Sequence, residues 1–209
     1  MTLVALSGAY GAGGSCIGPA LAERLRVPFL DRAIPAAVAV ELAVPFSDAE
    51  SHDEQLNASW IERLLSGLFA ADLSAPLPVP APARSGGDFR SATEALLLRM
   101  ADDGDGVVLG RGGAIVLRDR PSVLRARLHG PRERRIQQAM RLEGMDLATA
   151  QRRQRELDRA HATYAKHFYN ADIDDPSLYH VVLDSTTLPL EACVEMLLAA
   201  ALALAANAP

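Results

Sequence analysis

The chain has 209 residues, 49% of them hydrophobic, and a formal net charge of −5. That is enough apolar material for one well-buried domain, and the acidic balance offers no global basic field to draw it to nucleic acid or an anionic membrane. Of its 21 Lys and Arg residues only Lys166 is a lysine, so a cation set against a phosphate is expected to be arginine, whose planar fork suits phosphate oxygens.

Two cysteines, Cys16 and Cys193, give no disulfide or metal spacing, which fits a reducing, cytoplasmic setting. No basic region followed by a long apolar stretch opens the chain, so a secretory leader is not expected. The apolar run Met196 to Ala206 is too short to span a bilayer and reads as a C-terminal core helix.

In chain order, the strand-like run Leu3–Ser7 feeds the glycine-rich turn Gly8-Ala9-Tyr10-Gly11-Ala12-Gly13-Gly14-Ser15, and a helical pattern follows at once, over Ser15–Arg26. Gly8, Gly13 and Ser15 fall where G-x-x-x-x-G-K-[ST] requires them, with Gly14 in the lysine position. Glycines let successive N–H groups approach an anion, and the helix start adds its own unpaired donors. Gly8, Gly11, Ala12, Gly13, Gly14 and Ser15 are therefore the expected phosphate cradle, with the Ser15 hydroxyl suited to Mg²⁺. The missing lysine removes a mobile charge that matters most to a phosphoryl transition state.

A second strand, Pro28–Leu30, ends at Asp31-Arg32. Residues just past a parallel strand face the ligand crevice. Asp31 could meet a ribose, a Mg²⁺ water or the arginine of an acceptor phosphate, or simply cap the helix that begins at Arg32. Helical patterns follow over Arg32–Leu42 and Ala49–Ala71, and alternating prolines predict an extended, mobile loop over 72–88 before a helix at Phe89–Ala101. The third strand, Val107–Gly110, leads into Gly110-Arg111-Gly112-Gly113, which repeats the first design and projects Arg111 at the same sheet edge.

Strands at Leu124–His129 and Tyr179–Asp184 complete five, with helices at Arg132–Glu143, Leu147–Phe168 and Leu190–Ala206. Strands separated by helices predict an α/β domain with a parallel sheet covered on both faces. On the long helix Arg152, Arg155 and Arg159 share one face, with Asp158 placed to orient Arg155. That face either closes over phosphates, as an arginine finger does, or is a solvated face of ion pairs. His161 and His167 are spaced wrongly to share a zinc ion.

The ordered set Tyr10-Gly11-Ala12-Gly13-Gly14, Pro28-Phe29-Leu30-Asp31-Arg32, Leu109-Gly110-Arg111-Gly112, Leu157-Asp158-Arg159, Tyr164, Asp175-Pro176, Leu178-Tyr179 and Leu183-Asp184-Ser185-Thr186 resembles the cytidylate kinase-like family of P-loop proteins. The resemblance implies a three-layer P-loop NTPase fold with a five-stranded parallel sheet, as a single domain over 1–209. It also implies a helical acceptor-binding insert at 34–95 and a lid at 141–175. By the same resemblance ATP and Mg²⁺ sit on the loop, Asp31, Arg32 and Arg111 serve the acceptor, and Arg111, Asp158, Arg155 and Arg159 serve catalysis. Gly112 stands where that family's motif has Asp, and His161 where a second lid arginine is usual.

Three functions are compatible with these residues. One is ATP-dependent phosphoryl transfer to a nucleoside monophosphate or related small molecule, without nucleic-acid or membrane partners. The second is a nucleotide-binding regulator that keeps the fold and has lost turnover. In the third, Gly11-Ala12-Gly13 opens a dinucleotide fingerprint with Asp31 about twenty residues on, as in NAD-dependent oxidoreductases.

Overall fold

The structure, a computed structural model, describes residues 2–30, 86–103, 105–110 and 112–207. Asp31, Arg32, Arg111 and the helices expected over Arg32–Leu42 and Ala49–Ala71 lie outside the described residues. So does most of the 34–95 segment.

The apolar run after Met1 forms β1 (Thr2–Gly8), followed by α1 (Gly14–Leu25) and the two-residue β2 (Phe29–Leu30). Next come α2 (Gly86–Asp103), β3 (Asp105–Leu109), the one-turn α3 (Gly113–Val116) and β4 (Val123–His129). The chain closes with α4 (Arg132–Glu143), α5 (Leu147–Tyr169), a 3₁₀ turn at Pro176–Leu178, β5 (Val181–Asp184) and α6 (Leu190–Ala206). All five expected strands form. Helix α2 starts at Gly86, within the end of the loop expected over 72–88. The short α3 is an element the sequence pattern does not announce.

The strands pair in parallel in the order β2-β3-β1-β4-β5. The chain leaves β1 toward one edge, returns beside it as β3, then passes to the other side as β4. The carboxyl end of β1 is therefore a switch point, where an open α/β sheet forms its ligand crevice. This order places β3 between β1 and β2. A dinucleotide fold places β2 beside β1, so the topology does not support the oxidoreductase reading.

Alternation along the strands sorts two cores. Val4, Leu6, Val107, Leu109, Leu124, Ala126 and Leu128 pack against Ile17 and Leu21 of α1 and Leu197 and Ala201 of α6. The other face carries Leu3, Ala5, Val108 and Val123 against Leu97 of α2 and Leu117. Leu21 and Leu197 are fully buried, each contributing about 1.5–3 kcal/mol of transfer free energy. Helix α5 is started by Asp146, whose carboxylate accepts the Thr149 N–H at 2.7 Å and caps an otherwise unpaired donor. Among the described residues no helix is long and apolar enough to cross a membrane.

The β5–α6 turn is built on Asp184. One carboxylate oxygen accepts the Thr186 N–H at 3.0 Å and its hydroxyl at 2.6 Å, and the other accepts the Thr187 hydroxyl at 2.8 Å. The Thr186 hydroxyl leads these bonds in favouring the charged form, and the Asp184 pKa falls from 3.8 to about 2. A folded-state pKa below the unfolded value means the stabilisation is complete above pH 4 and disappears as pH falls toward 2. We expect Asp184→Asn to unfold at lower urea than the wild type at pH 7, with the gap closing between pH 4 and pH 2. Parallel urea midpoints across that range would contradict this role.

Candidate functional site: the phosphate loop and its cleft

Residues 8–13 leave β1 as a loop whose carbonyls are held from behind. The Ala9 carbonyl accepts the Ala12 N–H at 3.0 Å within the loop. Arg135 Nη1 donates to the Tyr10 carbonyl at 2.8 Å, Gln138 Nε2 to the Gly11 carbonyl at 3.1 Å, and the Ser185 hydroxyl to the Ala12 carbonyl at 2.7 Å. Arg135, Gln138 and Ser185 are all buried. With the carbonyls held inward, the N–H groups of Gly11, Gly13, Gly14 and Ser15 have no acceptor among the described residues, and all four residues line the cleft. They are a ready anion cradle at the start of α1.

Two glycines are required by this path. Gly11 has φ 79°, and a Cβ there would sit 2.2 Å from the Arg135 carbonyl oxygen. Gly13, the N-cap of α1, has φ 75°, and its Cβ would meet Leu190 at 2.8 Å. Gly8 is different, because a Cβ there would meet nothing within 4 Å. Ala12 is buried in the core behind the loop and contributes its carbonyl anchor, not cleft lining. The Ser15 side chain is exposed and makes no hydrogen bond among the described residues, so its hydroxyl is available to a cation.

Gly14, in the lysine position, faces Leu109. A Cβ would lie 3.1 Å from one Leu109 methyl and 3.8 Å from a Leu128 methyl. The room a longer side chain would need at its base is filled by the two strands beside β1.

Helix α5 reaches the loop through Asp158. Its Oδ1 accepts the Tyr10 N–H at 3.1 Å, while Oδ2 accepts Arg135 Nη2 at 2.8 Å and Gln154 Nε2 at 2.6 Å. Gln154 in turn accepts from Arg132 Nε at 2.8 Å. The expected aspartate thus belongs to the loop's supporting frame. Arg155 and Arg159 are exposed and stand outside the cleft lining, with no ion pair among the described residues. Arg152 pairs with Glu156, at 4.0 Å.

Tyr10 is buried, its hydroxyl donating to Glu143 at 3.1 Å; burial first, then the Glu143 charge, pushes its pKa up. Gly110 (φ 79°) receives the chain from β3 and donates its N–H to the Leu6 carbonyl at 2.8 Å. Gly112 (φ 67°) caps α3, and a Cβ there would lie 3.0 Å from the Tyr169 ring. The space of the acid that the family motif carries at this position is taken by Tyr169, whose hydroxyl is held neutral chiefly by burial.

One charged lining residue was not anticipated. Arg127 projects from β4 beneath the loop, is 5% exposed, and lines the cleft with His161, Tyr164, Ile173 and Tyr179. Its Nη1 donates to the Ser7 hydroxyl at 3.1 Å and contacts the Tyr179 hydroxyl at 3.4 Å, and Nη2 pairs with Asp174. The signal was present in Val123-Leu124-Arg125-Ala126-Arg127-Leu128-His129. A parallel strand buried on both faces should be apolar throughout, so an arginine inside it implies a built partner.

With this geometry in place, the sequence profile of the cytidylate kinase-like family matches residues 3–187. The chain belongs to the cytidylate kinase-like family. Among solved structures, an uncharacterized protein from Eubacterium ventriosum ATCC 27560 superposes with a TM-score of 0.65 at 15% identity, over 96% of this chain and 98% of that one. A gluconokinase from Sinorhizobium meliloti 1021 superposes with a TM-score of 0.52 at 20% identity, over 99% and 94%. At these identities the likeness establishes the fold, that of P-loop kinases. Among curated proteins none matches the chain in sequence.

For this family member the carbonyl anchors predict the effect of disturbing them. Gly11→Ala must move the Arg135 backbone and adopt positive φ, at a cost of roughly 1–3 kcal/mol. We expect it to lower the melting temperature and to weaken pyrophosphate binding at least tenfold by calorimetry. Gly8→Ala should leave the melting temperature near that of the wild type.

Proposed function

We infer that the chain is an ATP-dependent phosphotransferase acting on a nucleoside monophosphate or related small molecule. The observation that carries this reading is the row of unpaired amides at Gly11, Gly13, Gly14 and Ser15 on one wall of the cleft. Such donors suit the phosphate chain of a nucleotide, and the Ser15 hydroxyl would hold Mg²⁺. That ion supplies charge neutralisation between phosphate oxygens. In the reaction an acceptor oxygen attacks the γ-phosphorus in line as the bond to the bridging oxygen breaks, and ADP leaves. No protein base is required, because this chemistry is mostly positioning and charge stabilisation.

The division of labour follows the sequence motifs. Gly8 to Ser15 cradle the nucleotide phosphates, Arg111 clamps the transferred group, and Asp158 ties the lid to the loop, while Arg155 and Arg159 stand on the exposed face of the same helix. Asp31 and Arg32 serve the acceptor, ahead of an acceptor-binding insert at 34–95, and the lid is at 141–175. The free thiols Cys16 and Cys193 support a reducing, cytoplasmic setting.

A second reading, a nucleotide-binding regulator without turnover, is favoured by one observation. The lysine position is packed against Leu109, and the acid position of the Gly110–Gly113 turn is filled by Tyr169. Coupled ADP release with a panel of monophosphates and small-molecule acceptors separates the two. Phosphotransfer predicts at least one acceptor that raises ADP release above background, and a loss of about 10²–10³-fold in kcat/KM for Arg111→Ala. Nucleotide binding by calorimetry with no acceptor-dependent ADP would establish the regulator instead, and absence of any nucleotide binding would exclude both.

A further inference from the structure

Residues paired across parallel strands share a face, so Val123, Arg125 and Arg127 of β4 lie on the side of Leu3, Ala5 and Ser7 of β1. Short α3 covers only part of that face, and the cleft opens beyond it at Ser7 and Arg127. Three arginines near the loop use their donors differently. Arg135 engages all three of its side-chain nitrogens, with Gly130, Tyr10 and Asp158. Arg125 gives Nε and Nη1 to the backbone carbonyls of Leu178 and Arg118, at 2.9 and 2.8 Å. Arg127, as buried as Arg135, leaves Nε–H without an acceptor among the described residues.

Nε and Nη2 form the edge of a guanidinium that takes an oxyanion side-on with two hydrogen bonds. On Arg127 that edge is met at Nη2 alone, by Asp174. Asp174 belongs to the segment between α5 and the 3₁₀ turn, and its side chain is 68% exposed against 6% for Arg127. The pair is therefore asymmetric: the cation is fixed and desolvated, while the carboxylate remains in water and can withdraw into it cheaply. Ser7 and Tyr179 hold Nη1, and the Tyr179 hydroxyl donates to the Ile173 carbonyl at 2.8 Å, so the guanidinium keeps its place if Asp174 leaves.

We propose that Arg127 is an oxyanion subsite on the floor of the cleft, and that Asp174 is a resident carboxylate which the anionic group of an acceptor displaces. The ligand class is an acceptor carrying a phosphate ester or a carboxylate. One oxygen takes Nε–H and another takes Nη2, and Asp174 passes to solvent. The site adjoins the loop, since Arg127 is the register partner of Ser7, the residue before Gly8. It is separate from the four amides that would hold the nucleotide phosphates. The assignment of this anion to an acceptor rests on the phosphotransfer reading.

The test fills the loop with a non-hydrolysable ATP analogue and Mg²⁺, then titrates inorganic phosphate and, separately, acetate, into the full chain by calorimetry. Binding of one anion is expected in the wild type, about tenfold tighter in Asp174→Asn, which removes the competitor, and at least tenfold weaker in Arg127→Gln. Phosphate binding assigns a phosphate ester acceptor, and acetate binding assigns a carboxylic acid. Melting temperature separates a site from a merely structural pair. Asp174→Asn should melt lower than the wild type without the anion and recover more on adding it. If Arg127→Gln does not fold, Asp174→Asn alone decides. Unchanged affinity for both anions in Asp174→Asn, or binding of neither by any variant, would overturn the proposal. Failure of the analogue to bind would refute nucleotide use. The anion titrations without it, compared between the wild type and Asp174→Asn, would then still decide the subsite.

Discussion

Arg135 and Gln138 on α4 and Ser185 after β5 hold three successive loop carbonyls, those of Tyr10, Gly11 and Ala12. A peptide plane fixed by its oxygen has its N–H fixed too: the Tyr10 and Ala12 carbonyls set the amides of Gly11 and Gly13, while the first turn of α1 sets those of Gly14 and Ser15, and none of the four has an acceptor among the described residues. Each bond contributes only about 0.5–1.5 kcal/mol net, and more where the donor is charged. Their value lies in direction. A donor row fixed before binding loses little freedom when an anion arrives, and under the proposed phosphotransfer function this compensates for the missing lysine.

Positive charge follows from the same frame. Arg135 is the buried cation behind the loop, and it is fully engaged by carbonyls and Asp158. Arg127 is the buried cation in front, lining the cleft with part of its fork unused. The lysine position is packed by Leu109. Among the described residues the buried positive charge at this site is thus carried by arginines anchored on β4 and α4, not by the loop itself. Asp158 joins the two levels, because one carboxylate binds both the Tyr10 amide and Arg135 and so ties α5 to the loop.

The fold was legible in the sequence because its signals are local. A strand, a glycine turn and a helix start are neighbours in the chain, and each strand carries its own apolar run. The positions of Gly11, Gly13 and Ser15 could be read the same way. The carbonyl anchors could not: Arg135 and Gln138 lie 125 and 127 residues from the carbonyls they hold, and nothing in Arg132-Glu133-Arg134-Arg135 marks the one that turns inward. Gly14 read as a gap in a motif, and only the fold reveals that Leu109 occupies the space. Arg127 was missed although β4 displayed it, because the strand was read by its apolar residues and not by the charge among them. Short α3 escaped because four residues carry too little periodicity to announce a helix.

The central claim is that the backbone amides of the loop, set by the carbonyl anchors, are the anion donors. Amide proton and nitrogen shifts of Gly11, Gly13, Gly14 and Ser15, followed by NMR during titration with pyrophosphate and Mg²⁺, test it most directly. The account predicts that these four move together, with a common affinity and the proton shifts of hydrogen-bond formation. Saturable binding that leaves these four signals in place while others shift would contradict it.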